Sequence, residues 1–193
     1  MLSIAEAHAL VERHLRDTSR ATHTRVVAHL MRRLAEHFSA DGTLWEVVGL
    51  CHDLDFFETA DDRTRHGLVS VSWLGDRLPE AARQAIAAHD HRTGICAGTM
   101  LADMLKAADA AAVIDLNLGR AAWRELDCHS PYANLRKRLG GRPYLADILE
   151  RHAGKHALPF VRITDFMVTA PPQELARGEH RLDQTKRRCR SQR

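Results

Sequence analysis

Apolar residues recur at a helical spacing along most of the chain. Between residues 22 and 38 they follow the 3.6-residue period of an α-helix at Val26, Val27, Leu30, Met31, Leu34 and Phe38. His23 lies on the same stripe, just before the two valines. Helices are also expected over residues 3–16 and 44–54, and the second is almost wholly apolar, which predicts a buried central helix ending at His52-Asp53.

The second half of the chain repeats this pattern in shorter segments. Further helices are predicted over residues 67–77, 79–89, 99–116, 130–140 and 143–153. Residues 55–65 are charged and are expected to form a loop. The helical pattern fades after Pro159, and a short extended piece is expected to run through Val161, Ile163, Phe166 and Val168 before Pro171-Pro172 breaks it.

These elements predict an all-α fold, a helical bundle over residues 1–158. Residues 159–193 are expected to form an irregular C-terminal extension, partly extended or disordered. The 193 residues suffice for a sizeable core, and the composition, with 45% apolar and only 5% aromatic residues, favours helices over sheets.

Charge and cysteine usage restrict the partners and the compartment. The net charge of +3 indicates no special partner, and the basic C-terminal residues are typical of a solvated tail rather than of a nucleic-acid-binding arm. The four widely spaced cysteines form no CxxC pair, and we find neither a membrane-length apolar run nor a secretory leader. A cytoplasmic protein with reduced thiols and no membrane partner is expected, and a homodimer is compatible with the sequence.

Several ionisable residues fall on, or at the end of, predicted apolar helix faces. Five points stand out, and four of the five fall in such positions: His23, the dipeptide His52-Asp53, His66, His89 and Asp109. Burying such groups is costly unless they are paired or bind a metal. Imidazole and carboxylate ligands suit one or two divalent ions of manganese, iron, cobalt, nickel or zinc. His29, one and a half turns after His23, is a competing choice for the first ligand.

The adjacent pair His52-Asp53 is informative about local geometry. Neighbouring side chains on an ideal helix point about 100° apart, so both reach one ion only near a helix end or a distortion. The charged segment after the pair is consistent with such an end. The remaining ligands would come from other helices packed against this one.

At these positions the chain resembles the HD superfamily of metal-dependent phosphohydrolases, over roughly residues 10–115. The matching segments are HTRVVAHLMRRLAEHF, VVGLCHDLDFF, RHGLVSVSWL, AIAAHDHRTG and LADMLKAADA. The resemblance implies an HD-domain helical bundle in which His23, His52, Asp53 and Asp109 are the ligands of the motif H…HD…D. His66 and His89 match the extra histidines of a subset that binds a second metal, and Asp53 would then bridge both ions. The alternative is that these two histidines lie behind the ligands and contact substrate phosphate.

The resemblance implies hydrolysis of a nucleotide or another small phosphorylated metabolite by a metal-activated water, with Asp53 at the catalytic centre. Lys106, Arg92 and His91 are expected to bind substrate phosphate, with Lys106 also stabilising developing charge, although Lys106 and Arg92 could equally point to solvent. Asp90 would orient a water, act as a general acid or cap a helix end.

Two further residues and one departure from the family pattern bear on the site. Asp55 and Glu58, on the loop after the dyad, would line the pocket or simply be solvated. The chain has His89-Asp90-His91 where signalling phosphodiesterases of the family often carry two successive histidines, and no GYP sequence follows. Cleavage of cyclic dinucleotides is therefore not expected.

Two other functions remain open at this point. The six-residue pattern is also similar to that of di-iron HD-fold oxygenases, which act on phosphonates or inositol and activate dioxygen instead of water. The other alternative is a regulatory module that binds a nucleotide without turning it over, against which the intact ligand set argues.

Overall fold

The computed structural model describes residues 1–126 and 129–173. Within these ranges every regular element is a helix and no strand occurs, so the all-α prediction is confirmed for them. The predicted tail from residue 174 onward lies outside the described residues. No helix in the described ranges combines the length and the apolar character needed to cross a membrane.

The α-helices are, in chain order, α1 (Ile4–His14), α2 (Ser19–His37), α3 (Gly42–Cys51), α4 (Leu68–Leu74), α5 (Glu80–Ala87), α6 (Met100–Leu118), α7 (Pro131–Leu139), α8 (Tyr144–Lys155) and α9 (Phe160–Thr169). Short 3₁₀ turns occur at Arg63–Arg65, Gly75–Arg77, His91–Thr93 and Arg120–Glu125.

Polar caps explain where the helices that carry the site begin. The Thr18 hydroxyl accepts a hydrogen bond from the Ala21 amide, so α2 begins three residues earlier than the apolar pattern predicted. Asp41 caps α3 and Thr99 caps α6 in the same way. The earlier start of α2 places Arg20 on the helix, one turn before His23.

The site depends on an unusually close packing of α2 against α3. At Gly49 an added Cβ would lie only 2.6 Å from the Ala28 Cα, so a larger side chain there would push the helices apart. With glycine in this position, the His23 and His52 rings come within 5.5 Å of each other, measured between centroids. Helix α6 packs against α2 and α5 and brings Asp109 to the same end of the bundle.

The extended piece predicted over residues 161–168 is wrong, because this segment forms helix α9. Ile163, Phe166 and Met167 are buried at helical spacing and belong to the same core cluster as the residues of α6. The β-branched residues of the segment favour strands intrinsically, but packing against the bundle overrides that preference.

Candidate metal centre

Five separate segments bring the six predicted ligand residues together. His23 lies on α2, Asp109 on α6, and His52 at the C-terminal cap of α3, with Asp53 directly after it. The other two are His66, which caps the turn Arg63–Arg65, and His89, two residues after α5. All but Asp109 are buried, and its side chain keeps 29% of its surface exposed.

The Asp53 carboxylate lies at the middle of this cluster. Its Oδ1 atom is 2.9 Å from His66 Nε2, 3.4 Å from His89 Nε2 and 3.6 Å from His52 Nε2. Its Oδ2 atom faces the other way, 3.8 Å from His23 Nε2. The two oxygens of one carboxylate therefore face different imidazoles, an arrangement suited to a bridging ligand.

Asp109 completes the cluster on the α6 side. Its Oδ1 atom is 3.0 Å from His23 Nε2 and 3.9 Å from His52 Nε2. Two groups, His23–His52–Asp109 and His52–Asp53–His89, each offer three ligand atoms within 4.8 Å of one another and could hold a metal ion.

Hydrogen bonds to backbone carbonyls fix the outer nitrogens of two imidazoles. His52 Nδ1 donates to the Gly49 carbonyl at 2.8 Å, and His89 Nδ1 donates to the Ile86 carbonyl at 2.7 Å. A carbonyl oxygen can only accept, so in each neutral ring the lone pair is on Nε2, which faces the cluster. Histidines that bind metals are commonly oriented in this way by a partner on the other ring nitrogen.

Buried nitrogens without partners show that the cluster suits a cation. His52 Nε2 and both ring nitrogens of His23 have no hydrogen-bond partner among the described residues. The His23 Nε2 atom is 3.0 Å from Asp109, but the contact lacks hydrogen-bond geometry. Because unpartnered buried polar groups are rare and costly, a metal ion held by these nitrogens and the two carboxylates fits the residues present.

Asp55 orients the third imidazole. It is fully buried and accepts hydrogen bonds from His66 Nδ1 at 2.9 Å, from the Gly67 amide at 2.8 Å and from the Ser70 amide at 3.1 Å. The interpretation of Asp55 as a solvated loop residue is therefore wrong. Glu58, for which the same interpretation was open, is exposed to solvent.

Gly67 is required where the His66 segment crosses α5. Its φ angle is +80°, and an added Cβ would lie 2.6 Å from the Ile86 carbonyl oxygen that accepts the His89 hydrogen bond. A side chain at this position would strain the backbone and displace the group that orients His89.

The charges in the cluster influence one another strongly. Burial alone would lower the pKa of His66, but its hydrogen bonds to Asp53 and Asp55 raise it to about 9. Burial lowers the pKa of His52 to about 4, so this ring is neutral at pH 7 and available as a ligand. Burial opposes ionisation of Asp53, but nearby His52 and Arg20 hold its pKa well below its usual value.

The residues predicted to contact substrate or assist catalysis are Asp90, His91, Arg92 and Lys106, and their surroundings differ. Asp90 caps the turn His91–Thr93, accepting hydrogen bonds from the Arg92 amide at 2.8 Å and from the Arg92 guanidinium. The His91 side chain is 81% exposed. Within the described ranges Lys106 forms no hydrogen bond or ion pair with the six ligand candidates, and its charge helps to lower the pKa of His152, after the larger effect of burial. The substrate and catalytic roles of these residues stay predictions.

His29, the alternative to His23, is directed away from the cluster. Its Nε2 atom is 3.3 Å from the Thr169 hydroxyl of α9. Sequence reasoning missed Arg20, whose Nη1 atom donates to Asp53 Oδ2 at 2.8 Å. Its spacing of three residues from His23 on one helix is the signal that could have identified it.

Comparisons with known proteins add no further information. No family model, no curated protein and no solved structure matches this chain.

Proposed function

We propose that the chain is a metal-dependent phosphohydrolase of the HD type, acting on a nucleotide or another small phosphorylated metabolite. The observation that carries the proposal is the convergence of imidazole Nε2 atoms, two of them oriented by backbone carbonyls, on two carboxylates. The order of these residues along the chain, which resembles the H…HD…H…H…D pattern, supports the phosphohydrolase assignment.

The positions of the ligand atoms favour two ions. His23, His52 and Asp109 would hold one ion, His66 and His89 would hold the other, and Asp53 would contribute to both. The support is that Asp53 Oδ1 faces His66 and His89 while Oδ2, which also accepts from Arg20, faces His23. His52 Nε2 lies between the two groups, 3.6 Å from Asp53 Oδ1 and 3.9 Å from Asp109 Oδ1. Divalent ions in such a site lower the pKa of bound water toward about 7 and polarise a phosphoryl oxygen.

Side chains and backbone carbonyls of the protein orient the candidate ligands. The carbonyls of Gly49 and Ile86 and the carboxylate of Asp55 hold three rings so that their Nε2 atoms keep one geometry. Arg20 keeps Asp53 ionised and oriented. Asp109 is the most exposed ligand candidate, so substrate would approach from its side of the cluster.

The experiment is a turnover assay on protein loaded separately with manganese, cobalt, nickel, zinc and ferrous iron. Nucleoside phosphates and sugar phosphates are supplied without oxygen, and released inorganic phosphate is measured. We expect phosphate release from at least one substrate, its loss in Asp53→Asn, and its retention in Asp103→Asn, a buried aspartate outside the cluster.

Two results would overturn the proposal. Phosphate release that survives in Asp53→Asn or in chelated protein would remove the metal from the reaction. Oxygen consumption by ferrous-loaded protein on a phosphonate or inositol, without any anaerobic phosphate release, would replace the hydrolase with the oxygenase alternative.

A further inference from the structure

Three arginines from separate segments lie together beside the metal centre. Arg20 belongs to α2, Arg63 to the turn Arg63–Arg65 and Arg92 to the turn His91–Thr93. The two turns contact each other. These three guanidinium groups are called the arginine cluster below.

The ring of Phe56 holds two members of the arginine cluster in place. The guanidinium carbons of Arg20 and Arg63 lie 3.7 and 4.2 Å from the ring centroid. The same ring lies 6.0 Å from that of the ligand candidate His66, measured between centroids. Stacking on an aromatic face leaves the edge of a guanidinium free to donate hydrogen bonds.

Most donors of the stacked arginines have no partner among the described residues. Arg20 donates from Nη1 to Asp53, and Arg63 donates from Nη1 to the Phe56 carbonyl at 2.8 Å. A guanidinium carries five N–H donors, so each keeps several for a ligand. Arg92 is paired with Asp90, whereas Arg63 forms no ion pair with a carboxylate in the described ranges.

Mutual repulsion within the arginine cluster is evident at Arg63. Partial burial is the largest cause that lowers its pKa, and the charges of Arg92 and Arg20 lower it further. The guanidinium remains protonated at any physiological pH. Three like charges held together, one of them without a carboxylate, are therefore relieved by binding an anion.

We infer that the arginine cluster binds a second anionic group of the substrate, beyond the phosphoryl group that reacts at the metal centre. The inference rests on the proposed function and narrows its substrate class to compounds with two or more acidic groups, such as nucleoside diphosphates, nucleoside triphosphates or bisphosphates. Planar guanidinium groups suit this role because they bind phosphate oxygens in pairs.

The test uses inorganic pyrophosphate as the probe, titrated calorimetrically into the protein as purified and again after chelation, at fixed ionic strength. Arg63→Gln removes the unpaired member of the cluster. Arg65→Gln is the matched control, since Arg65 lies on the same turn and is exposed. Losing charge-assisted hydrogen bonds weakens binding by about 10–100-fold in Arg63→Gln. Arg65→Gln is expected to bind like the unaltered protein.

A second variant, Arg63→Lys, keeps the charge and loses the planar fork, and it should bind with intermediate affinity if it folds like the parent. Equal binding by the Arg63→Gln and Arg65→Gln variants, or no pyrophosphate binding by the unaltered protein, would overturn the inference. Metal content is measured separately on the same samples. A protein that never binds metal but binds pyrophosphate through Arg63 would refute the proposed function and leave the anion site standing.

Discussion

Two buried histidine–aspartate clusters occur in the part of the chain that the structure describes, and they differ in how many of their polar atoms have hydrogen-bond partners. In the first, the candidate metal centre, His52 Nε2 and both His23 ring nitrogens have no hydrogen-bond partner among residues 1–126 and 129–173. In the second, Asp103 of α6 accepts from His152 Nδ1 at 2.7 Å, Lys155 Nζ at 2.9 Å and His156 Nε2 at 2.9 Å. We call this second group the Asp103 cluster.

This difference in pairing favours a ligand site in the first cluster and a purely structural contact in the second. One carboxylate in the Asp103 cluster satisfies three donors, two from α8 and one from His156 directly after it, so the cluster ties α6 to the end of α8 and needs no ligand. The metal centre holds two carboxylates among four imidazoles and still leaves buried nitrogens unpartnered. Residue type alone does not distinguish the clusters; the count of satisfied atoms does.

The largest expected effect is stabilisation by metal. A ligand that binds only the folded state adds about 2.7 kcal/mol to the free energy of unfolding at a free concentration 100 times its Kd. We expect this gain in the unaltered protein, measured by urea unfolding with and without the metal. Asp53→Asn should lose it, and an unchanged gain in this variant would contradict the assignment of Asp53.

Asp103→Asn is expected to show the opposite behaviour. Charge-assisted hydrogen bonds contribute about 1.5–3 kcal/mol, so the variant should lose about 2–3 kcal/mol of stability. Its metal affinity should stay unchanged, because no atom of Asp103 contacts the metal centre within the described ranges. Loss of metal together with stability would show that the two clusters are not independent.

The Asp103 cluster also predicts a pH dependence. Burial opposes ionisation of Asp103, but Lys155, His156 and His152 lower its pKa from 3.8 to about 2. A carboxyl with a depressed folded-state pKa stabilises above its unfolded value and loses that contribution as pH falls. The stability gap between the unaltered protein and Asp103→Asn should persist at pH 5 and shrink by roughly 2 kcal/mol between about pH 4 and pH 2. A gap that is constant over this interval would refute the explanation.

Asp55→Asn tests the groups that orient the ligands. Replacing an outer partner of a metal-binding histidine typically lowers metal affinity by about 10–100-fold. We expect a loss in this range, measured by competition with a chelator, because His66 Nδ1 loses its carboxylate acceptor. An affinity equal to that of the unaltered protein would contradict the role of the Asp55 carboxylate in orienting His66.

The smallest effect is expected at His29. Its ring contacts Thr169 rather than the cluster, so His29→Ala should leave metal affinity unchanged. A half-exposed position of this kind typically changes the free energy of unfolding by about 0.5 kcal/mol or less. His23→Ala in the same titration should lose metal. If His29→Ala lost metal and His23→Ala did not, His29 would replace His23 as the ligand.

Most of the clustered residues were predictable because they lie on a strongly patterned helix or close to its end, whereas His66 follows the short turn Arg63–Arg65. His23 continues the apolar stripe of α2, and the His52-Asp53 pair comes where the apolar helix α3 ends and a charged segment begins. Their ordered spacing supplied the resemblance. The all-α class followed from the same periodicity.

Other features depend on tertiary contacts that periodicity does not encode. Asp55 is in a charged segment, and only the fold shows that three donors surround it. Helix α9 begins with a β-branched pattern whose helical form depends on packing against α6 and the turn Arg120–Glu125. The contact of Arg20 with Asp53 joins residues 33 positions apart.

Elemental analysis after loading with each metal and desalting, with metal counted per chain, tests the central claim most directly. The unaltered protein and Asp103→Asn should retain equal amounts, between one and two ions per chain, while Asp53→Asn should retain far less. The same metal content in all three proteins, or none in the unaltered protein, would contradict the assignment of a metal centre at Asp53.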